Sequence, residues 1–175
     1  MKSALFLDRD GVINRQIVGG YVTKKDEFEF LPEVIEAIEM LSKKYDYIFI
    51  VTNQQGIGKG IFSAEDLNDI HTYMLEQIEN QGGHIDKIYF CPALETENSI
   101  FRKPAPGMGQ LALNEYPDID LKKSVMVGDA QTDLQFGKNL GVKTVFLSKG
   151  KTPDLKVIQL ADAIYNDLPD FVKSL

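Results

Sequence analysis

The sequence is poor in cysteine, tryptophan and long apolar runs. It contains one cysteine, Cys91, no tryptophan and two histidines among 175 residues. A single cysteine cannot form an internal disulfide, and this scarcity is typical of a reducing compartment, so we expect a cytoplasmic protein. No apolar run is long enough for a transmembrane helix. The N-terminal run is interrupted by Asp8 too early for a signal peptide. We therefore expect no membrane partner.

Basic side chains are outnumbered by acidic ones. The chain has 19 Lys and Arg against 26 Asp and Glu, which gives a formal net charge of -7. This balance argues against a surface devoted to nucleic acid or anionic lipid, although a local basic pocket for a phosphate group remains compatible with it. The composition, 43% hydrophobic and 26% charged, is that of a globular protein. The length predicts one domain, residues 1–175, and nothing indicates an oligomeric state.

Short apolar segments alternate with helical patterns along the chain. The apolar segments are ALFL, YIFIV, IYFC, SVMVG and TVFL, and such runs are typical of parallel strands buried on both faces. Helices are predicted from Pro32, from Ser63 to the Gly82-Gly83 pair, from Gly107 to Tyr116 and from Thr132 to Leu140. The alternation predicts an α/β fold with a doubly wound, Rossmann-like, mostly parallel sheet and helices on both faces.

Polar residues stand at the ends of three predicted strands. Asp8 follows the first apolar segment, Thr52 the second and Asp129 the fourth. Ligands of open α/β sheets bind beyond the carboxyl ends of the strands, so we expect these three side chains to lie together at one edge. Asp8 alone could be an ordinary turn residue, but a turn does not account for the convergence. We predict a reaction centre at this edge.

Four segments carry a resemblance to a known family. FLDRDGVIN, VTNQQGIGKG, RKPAPGM and GDAQTD, in this order, resemble the signature motifs of haloacid dehalogenase-like phosphatases. They are similar to one branch, the histidinol-phosphate and D-glycero-D-manno-heptose 1,7-bisphosphate phosphatases, from about Ala4 to Leu147. GYV and GIGKGIFS favour the heptose enzymes. No segment is long enough for the cap domain of larger members, so we expect an open site without a cap.

The resemblance implies Mg²⁺-dependent hydrolysis through an aspartyl-phosphate. Asp8 would be the nucleophile and Asp10 the general acid and base. Thr52 and Lys103 would hold the transferring phosphoryl oxygens. Asp8 and Asp129, with the backbone carbonyl of Asp10, would bind the Mg²⁺.

The remaining predictions concern positioning and substrate contacts. Asp133 would orient metal-bound waters, although a solvated first turn of a helix explains it about as well. Arg9 is predicted to be structural, with its side chain turned away from the two carboxylates, and the two histidines, His71 and His84, receive no role. We predict contacts with the substrate for Gly20, Tyr21, Asn53, Gln54 and Arg102.

The loop before RKP departs from the family pattern. Relatives bind a structural zinc there through cysteines and a histidine, whereas this loop reads CPALETENSIF, with Ala93 replacing the histidine and Cys91 alone. One ligand cannot make a four-coordinate site, so no structural zinc is expected. We expect apolar packing to stabilise the loop instead, by Leu94, Ile100 and Phe101.

Two further features bear on the ligand. Ala130 stands where relatives carry Lys or Arg after GD, which removes one cation that could bind a second charged group of the substrate. QQGIGKG lacks the spacing and the Ser or Thr of a P-loop, so we interpret Gly56, Gly58 and Gly60 as parts of a mobile loop at the rim.

The predicted substrate is a small phosphorylated sugar, D-glycero-D-manno-heptose 1,7-bisphosphate, which would lose its 7-phosphate. Arg102 would bind the distal phosphate. The alternatives are a histidinol-phosphate phosphatase and a DNA 3′-phosphatase, the latter disfavoured because a nucleic-acid strand needs a basic groove. A receiver-like phosphoacceptor module is the non-enzyme alternative. Asp10 argues against it, because a base two residues after the nucleophile shortens the life of the phosphorylated state.

Overall fold

The structure, a computed structural model, describes residues 1–175 as six strands and seven helices. In chain order these are β1 (Ala4–Leu7), α1 (Val34–Ser42), β2 (Tyr47–Asn53), α2 (Gln55–Gly58), α3 (Ala64–Asn80), β3 (Lys87–Cys91), α4 (Gly107–Glu115), β4 (Val125–Gly128), α5 (Gln131–Leu140), β5 (Lys143–Leu147), α6 (Leu155–Leu160), β6 (Ala163–Tyr165) and α7 (Leu168–Lys173).

The six strands form one parallel sheet in the order β3-β2-β1-β4-β5-β6. The chain builds outward from β1 to β3 on one side and then from β4 to β6 on the other. The strand order therefore reverses between β1 and β4, which is where open α/β sheets bind ligands. Leu7 pairs with Ile50 of β2 and with Val127 of β4, so the carboxyl ends of these strands lie side by side, with β2 extending further, to Asn53. The predicted fold class is confirmed.

Helices cover both faces because successive side chains of each strand point to opposite sides. Leu5 and Leu7 of β1 belong to a core cluster that also contains side chains of α1, α3 and α7. Ala4 and Phe6 belong to a second cluster with side chains of α4 and α5. All four residues of β1 are fully buried. The strand is apolar at nearly every position because the sheet is buried on both of its faces.

The predicted helices begin and end close to their expected limits. Ser63 caps α3 by accepting from the backbone N–H of Asp66, whose carboxylate accepts from the Ser63 N–H in return. Gly141 ends α5 in a left-handed conformation, with φ of 89°. The elements after Leu147, namely α6, β6 and α7, were not predicted.

The connections leave the carboxyl edge of the sheet uncovered. Residues 8–33 between β1 and α1 form a loop with one 3-10 turn, at Lys25–Glu27. The stretch between β2 and β3 holds only α2 and α3. No cap domain is inserted at either place, as expected. None of the helices has both the length and the apolar character needed to cross a bilayer.

Gly137 in α5 sets how closely this helix approaches the sheet. A Cβ at this position would lie 2.6 Å from Thr144 Cγ2 and 2.9 Å from Met126 Cβ. Gly137→Ala should therefore lower the unfolding free energy by about 1 kcal/mol, since overpacking costs about 1–3 kcal/mol and outweighs the gain of up to about 1 kcal/mol in helix propensity. Urea denaturation measures this change. Gln131→Ala, at an exposed position of the same helix, is the control, and a Gly137→Ala protein as stable as the wild type would contradict the packing argument.

Candidate active site

A pocket of about 300 Å³ opens at the carboxyl edge of the sheet, beside the point where the strand order reverses. Its walls come from the segments after β1, β2 and β4 and from the loop before α4. The pocket is lined by all the residues predicted for the site: Asp8, Asp10, Gly20, Tyr21, Thr52, Asn53, Gln54, Arg102, Lys103, Asp129 and Asp133. The strands thus bring together residues that lie up to 125 positions apart in the chain.

Lys103 places a buried ammonium group between two carboxylates. Its Nζ donates to Asp8 Oδ1 at 2.7 Å and to Asp133 Oδ1 at 2.6 Å, and the side chain is only 3% exposed. Burial alone would lower the pKa of Lys103, but the charges of Asp133 and Asp8 outweigh it and raise the pKa above the ordinary value. Lys103 is therefore charged throughout the physiological pH range.

The backbone at Lys103 is fixed by Asn53 at the end of β2. The Lys103 N–H donates to Asn53 Oδ1 at 3.0 Å, and Asn53 Nδ2 donates to the Lys103 carbonyl at 3.1 Å. Both polar atoms of the Asn53 amide are thus engaged by this one residue. The Asn53 amide therefore holds the lysine in place, and the contact of Asn53 with the substrate stays a prediction.

Three carboxylates, two from strand ends and one from the first turn of α5, converge beside this ammonium. Oxygens of Asp8, Asp129 and Asp133 lie within 4.8 Å of one another. Burial, together with the charge of Asp133, raises the pKa of Asp8 to about 7. Burial and the charge of Asp8 likewise raise the pKa of Asp129. Anions held together in this way favour a cation, and the donor atoms are the hard oxygens that Mg²⁺ prefers.

Asp133 differs from the other two carboxylates because its oxygens already have partners. Oδ1 accepts from Lys103 Nζ, and Oδ2 accepts from the backbone N–H groups of Asp129 at 3.1 Å and Ala130 at 3.0 Å. The side chain is 1% exposed. Asp133 therefore ties the start of α5 to the lysine, which fits a residue that orients the site better than a direct metal ligand.

Asp10 is held by three neighbouring side chains. Arg9 Nη2 donates to both of its carboxylate oxygens at 2.9 Å, Asn14 Nδ2 donates to Oδ1 at 3.0 Å and Gln54 Nε2 donates to Oδ2 at 2.8 Å. Burial would raise the pKa of Asp10, but the Arg9 charge and these hydrogen bonds hold it below the ordinary value. The prediction that Arg9 turns away from the carboxylates was wrong for Asp10. A buried guanidinium needs a buried acceptor, and the adjacent carboxylate is within reach.

Thr52 lies at the bottom of the pocket with its hydroxyl free to donate. The side chain is buried, and Oγ1 accepts from Gln54 Nε2 at 3.0 Å. Because this oxygen acts as the acceptor, the hydroxyl proton remains available for another partner. The same Gln54 amide nitrogen also donates to Asp10, so Gln54 links two predicted catalytic residues, and its contact with the substrate stays a prediction.

The rim of the pocket is formed by Gly20, Tyr21 and Arg102. Tyr21 packs near Phe62, with ring centroids 6.1 Å apart. A Cβ on Gly56 would clash with a Phe62 ring carbon, so this glycine is required by close packing, and it lies in a short helix, α2, rather than in an open loop. Arg102 Nη1 donates to the Ala93 carbonyl at 3.3 Å.

The loop from Ala93 to Phe101 is stabilised differently from the prediction. Ile100 is 66% exposed and Phe101 is 38% exposed, so the expected packing of these two side chains was wrong. Leu94 does pack, close to Gly58 of α2. Hydrogen bonds supply the rest, since Glu97 accepts from the Leu94 N–H and Arg102 binds the Ala93 carbonyl. Cys91 is buried with Sγ 3.8 Å from Ser99 Oγ, and the absence of zinc stays a prediction.

Lys149 was missed by the sequence reasoning. Its Nζ donates to Asp129 Oδ2 at 2.5 Å, and both atoms lie next to Gly11. The signal was present, because SKG follows the fifth apolar segment and therefore lies at the same edge of the sheet as the other strand ends. Gln16, Ile17 and Thr132 also line the pocket without having been predicted.

Comparison with known proteins agrees with this geometry. The HAD-hydrolase-like family model matches residues 100–171. A D-glycero-alpha-D-manno-heptose-1,7-bisphosphate 7-phosphatase of Mycobacterium tuberculosis is 38% identical over 167 residues, which cover 95% of this chain and 88% of that protein. A D-glycero-beta-D-manno-heptose-1,7-bisphosphate 7-phosphatase of Rhodopseudomonas palustris is 34% identical, over 91% of this chain and 90% of that protein. The chain belongs to the haloacid dehalogenase-like phosphatases.

A solved structure of the same family supports the fold over its whole length. The D,D-heptose 1,7-bisphosphate phosphatase from B. bronchiseptica, complexed with magnesium and phosphate, matches with a TM-score of 0.86 and 30% sequence identity, covering 99% of this chain and 97% of that one. Membership of the haloacid dehalogenase-like phosphatases makes this chain a phosphoric monoester hydrolase, and the predicted family and enzyme class are confirmed.

Proposed function

We propose that this phosphatase removes the 7-phosphate of D-glycero-D-manno-heptose 1,7-bisphosphate through an aspartyl-phosphate on Asp8. The observation that carries the mechanism is the pair Asp8 and Asp10 at one strand end, the first bound to a buried ammonium and the second held by three donors. The substrate is supported by relatives of that name, 34% and 38% identical over at least nine-tenths of this chain. Relatives named for either anomer occur, so the proposal covers both.

Magnesium fits the donor set of this site. The carboxylates of Asp8 and Asp129 would hold it, with the backbone carbonyl of Asp10 as the family resemblance implies. Asp133 would stay outside the ligand set because Lys103 and two backbone N–H groups already occupy its oxygens. When bound, Mg²⁺ would screen the repulsion between the Asp8 carboxylate and the phosphate and polarise the phosphoryl group.

Asp8 is the nucleophile of the first half-reaction. One of its carboxylate oxygens attacks phosphorus while the bond from phosphorus to the sugar oxygen breaks. Lys103 holds Oδ1 and leaves Oδ2 to attack. The Thr52 hydroxyl and the Lys103 ammonium donate to the oxygens of the transferring phosphoryl group, on which negative charge is spread in the transition state.

Asp10 moves the protons in both half-reactions. The protonated form of Asp10 gives a proton to the departing sugar oxygen, which is a poor leaving group as an alkoxide. Because Arg9 lowers the pKa of Asp10, this form is the minor one in the free site and must be reached before the bond breaks. The resulting carboxylate then takes a proton from a water that attacks phosphorus, and the bond between phosphorus and Asp8 breaks. The products are the dephosphorylated sugar and inorganic phosphate, and Asp10 is protonated again for the next cycle.

We infer further that residues 1–175 act as one catalytic domain in the cytoplasm, on a small-molecule substrate rather than on nucleic acid. The net charge of -7 disfavours a nucleic-acid strand as the substrate. Histidinol phosphate and a 3′-phosphorylated oligonucleotide are the competing substrates. A marked preference for either would overturn the heptose assignment while leaving the mechanism intact.

Asp8→Asn should lower kcat by about 1,000-fold or more, because an amide cannot replace the nucleophilic carboxylate. Phosphate release from the heptose bisphosphate at saturating Mg²⁺ measures the effect. Asp26→Asn, the same change at an exposed turn, is the matched control. The circular dichroism spectrum of Asp8→Asn should match that of the wild type. A folded Asp8→Asn protein with near-normal turnover would contradict the assignment.

Arg102→Ala should reduce kcat/KM by about 10- to 100-fold for the bisphosphate and little for a simple monoester. Arg102 lines the pocket beside Lys103 and would bind the distal phosphate, and hydrogen bonds to charged groups contribute about 1.5–3 kcal/mol each. Because Ala130 stands where relatives carry a cation, Arg102 would supply more of the binding energy for the distal phosphate. Steady-state kinetics on both substrates measures this selectivity, with Arg15→Ala as the control because Arg15 lies outside the pocket. Equal losses on the two substrates would exclude a role in binding a second phosphate.

Binding of Mg²⁺ should strengthen as the pH rises through about 7. The pKa of Asp8 is about 7 in the metal-free protein, whereas a free aspartate ionises near 4. Between pH of about 4 and 7 the folded state therefore keeps a proton that the unfolded state has lost. The unfolding free energy of the metal-free protein should fall as the pH rises through this range. Mg²⁺ displaces this proton, so titration calorimetry in buffers of different ionisation enthalpy should show release of about one proton per ion near pH 6 and almost none at pH 8.5. Heats that do not depend on the buffer at pH 6 would contradict this linkage.

A further inference from the structure

Arg9 is a fully buried arginine adjacent to the proposed general acid and base. It lies between Asp8 and Asp10 in the chain, and it is the largest side chain with no exposed surface. Nη2 donates to both oxygens of Asp10 at 2.9 Å. One nitrogen thus contacts both oxygens of the carboxylate, as a charge-assisted pair of hydrogen bonds. Together with Asn14 and Gln54, the guanidinium thus sets the orientation of Asp10, and its own position matters for that orientation.

The other terminal nitrogen of Arg9 is bound by His71, a residue of α3. Arg9 Nη1 and His71 Nε2 are 3.1 Å apart. A guanidinium has no acceptor atom, so Nε2 must accept and the proton of the neutral ring is on Nδ1. Burial, with the adjacent Arg9 charge, lowers the pKa of His71 to about 3, so the ring is neutral in the working pH range. The histidine is therefore a permanent acceptor for Arg9.

Few other contacts hold the guanidinium. Arg9 Nε is buried and has no hydrogen-bond partner. The Phe28 ring lies beside the group, with its centroid 5.9 Å from Cζ, and gives it no directional anchor. The His71 ring packs edge-on to Phe90 at 6.4 Å. Asp10 and His71 are consequently the two hydrogen-bonding partners of the Arg9 guanidinium, one at each terminal nitrogen.

We propose that His71 is a positioning residue for catalysis: it binds Arg9 Nη1 so that Arg9 Nη2 keeps the Asp10 carboxylate aimed at the leaving oxygen and the attacking water. The inference rests on the proposed function, in which Asp10 is the general acid and base, and it adds a residue 61 positions away in the chain to that role. Without an acceptor at position 71, two buried nitrogens of Arg9 would be unpaired. The guanidinium would then rotate toward other partners, and its two-point hold on Asp10 would be lost.

Loss of this hold should affect the steps that use Asp10 and leave substrate binding unchanged. In His71→Phe, we expect kcat for an alkyl phosphate to fall by about 10- to 100-fold with KM within twofold of the wild type, since small misplacements of a catalytic group cost rates of this order. His71→Gln, whose amide oxygen can accept from Nη1, should recover most of the activity. His71→Asn, which is too short to reach Nη1, should behave like His71→Phe and replaces it if the phenylalanine variant does not fold.

An aryl phosphate separates the two half-reactions. The leaving group of p-nitrophenyl phosphate needs no proton, so phosphorylation of Asp8 should keep its rate in His71→Phe while hydrolysis of the phosphoenzyme slows. Stopped-flow measurement with the Mg²⁺-loaded enzyme should then show a burst of p-nitrophenol that approaches one equivalent per enzyme and exceeds that of the wild type. Met74→Ala, which creates a cavity beside the same helix, is the structural control. It should lower the unfolding free energy without enlarging the burst.

A double-mutant cycle tests whether His71 acts through Asp10. Added to Asp10→Asn, His71→Phe should cause no further loss of kcat, because the carboxylate that it positions is already gone. A full additional loss in that background would overturn the proposal. If the wild type is active, a folded His71→Phe protein with unchanged kcat or an unchanged burst would overturn it as well. Absence of phosphatase activity in the wild type would overturn the proposed function together with this inference.

Discussion

The site depends on one buried ammonium. Lys103 Nζ lies within 2.7 Å of both Asp8 and Asp133, and it connects the end of β1, the loop before α4 and the start of α5. Two buried carboxylates this close together are unstable without a cation, and a buried ammonium is unstable without anions. Asn53 holds the lysine backbone from β2. The ends of β1 and β2 and the start of α5 are thus joined through a single residue, by its side chain and its backbone.

Much of the fold and the site could be predicted from the sequence because the sheet is parallel and buried on both faces. A sheet buried on both faces needs apolar strands, and the ALFL and YIFIV segments therefore stand out from the helical patterns between them. In a parallel sheet all strands end at the same edge. The polar residues that follow them, Asp8, Thr52 and Asp129, accordingly meet in one pocket. Chain topology, rather than any single motif, makes this convergence predictable.

The remaining features depend on side-chain conformation or on weak local signals. Arg9 could face solvent or its neighbour Asp10, and only the packing of α3 and Phe28 around it decides between these orientations. Ile100 is apolar yet exposed, because hydrogen bonds rather than burial stabilise its loop. The last helices have six residues each, too few for a clear period. Their starts carry the signals Asp154 and Asp167, which cap them.

The central claim is that the phosphoryl group is bound covalently to Asp8 during turnover. Asp10→Asn protein, mixed with p-nitrophenyl phosphate that carries an isotopic phosphorus label and quenched in acid within milliseconds, tests it most directly, because the p-nitrophenolate leaving group needs no proton from Asp10. We predict that the label is recovered on the peptide containing Asp8, at close to one equivalent per enzyme, because the intermediate forms but its hydrolysis lacks a base. The double variant Asp8→Asn/Asp10→Asn should retain no label. Phosphate released by the single variant without any labelled protein, or label on a different residue, would contradict the account.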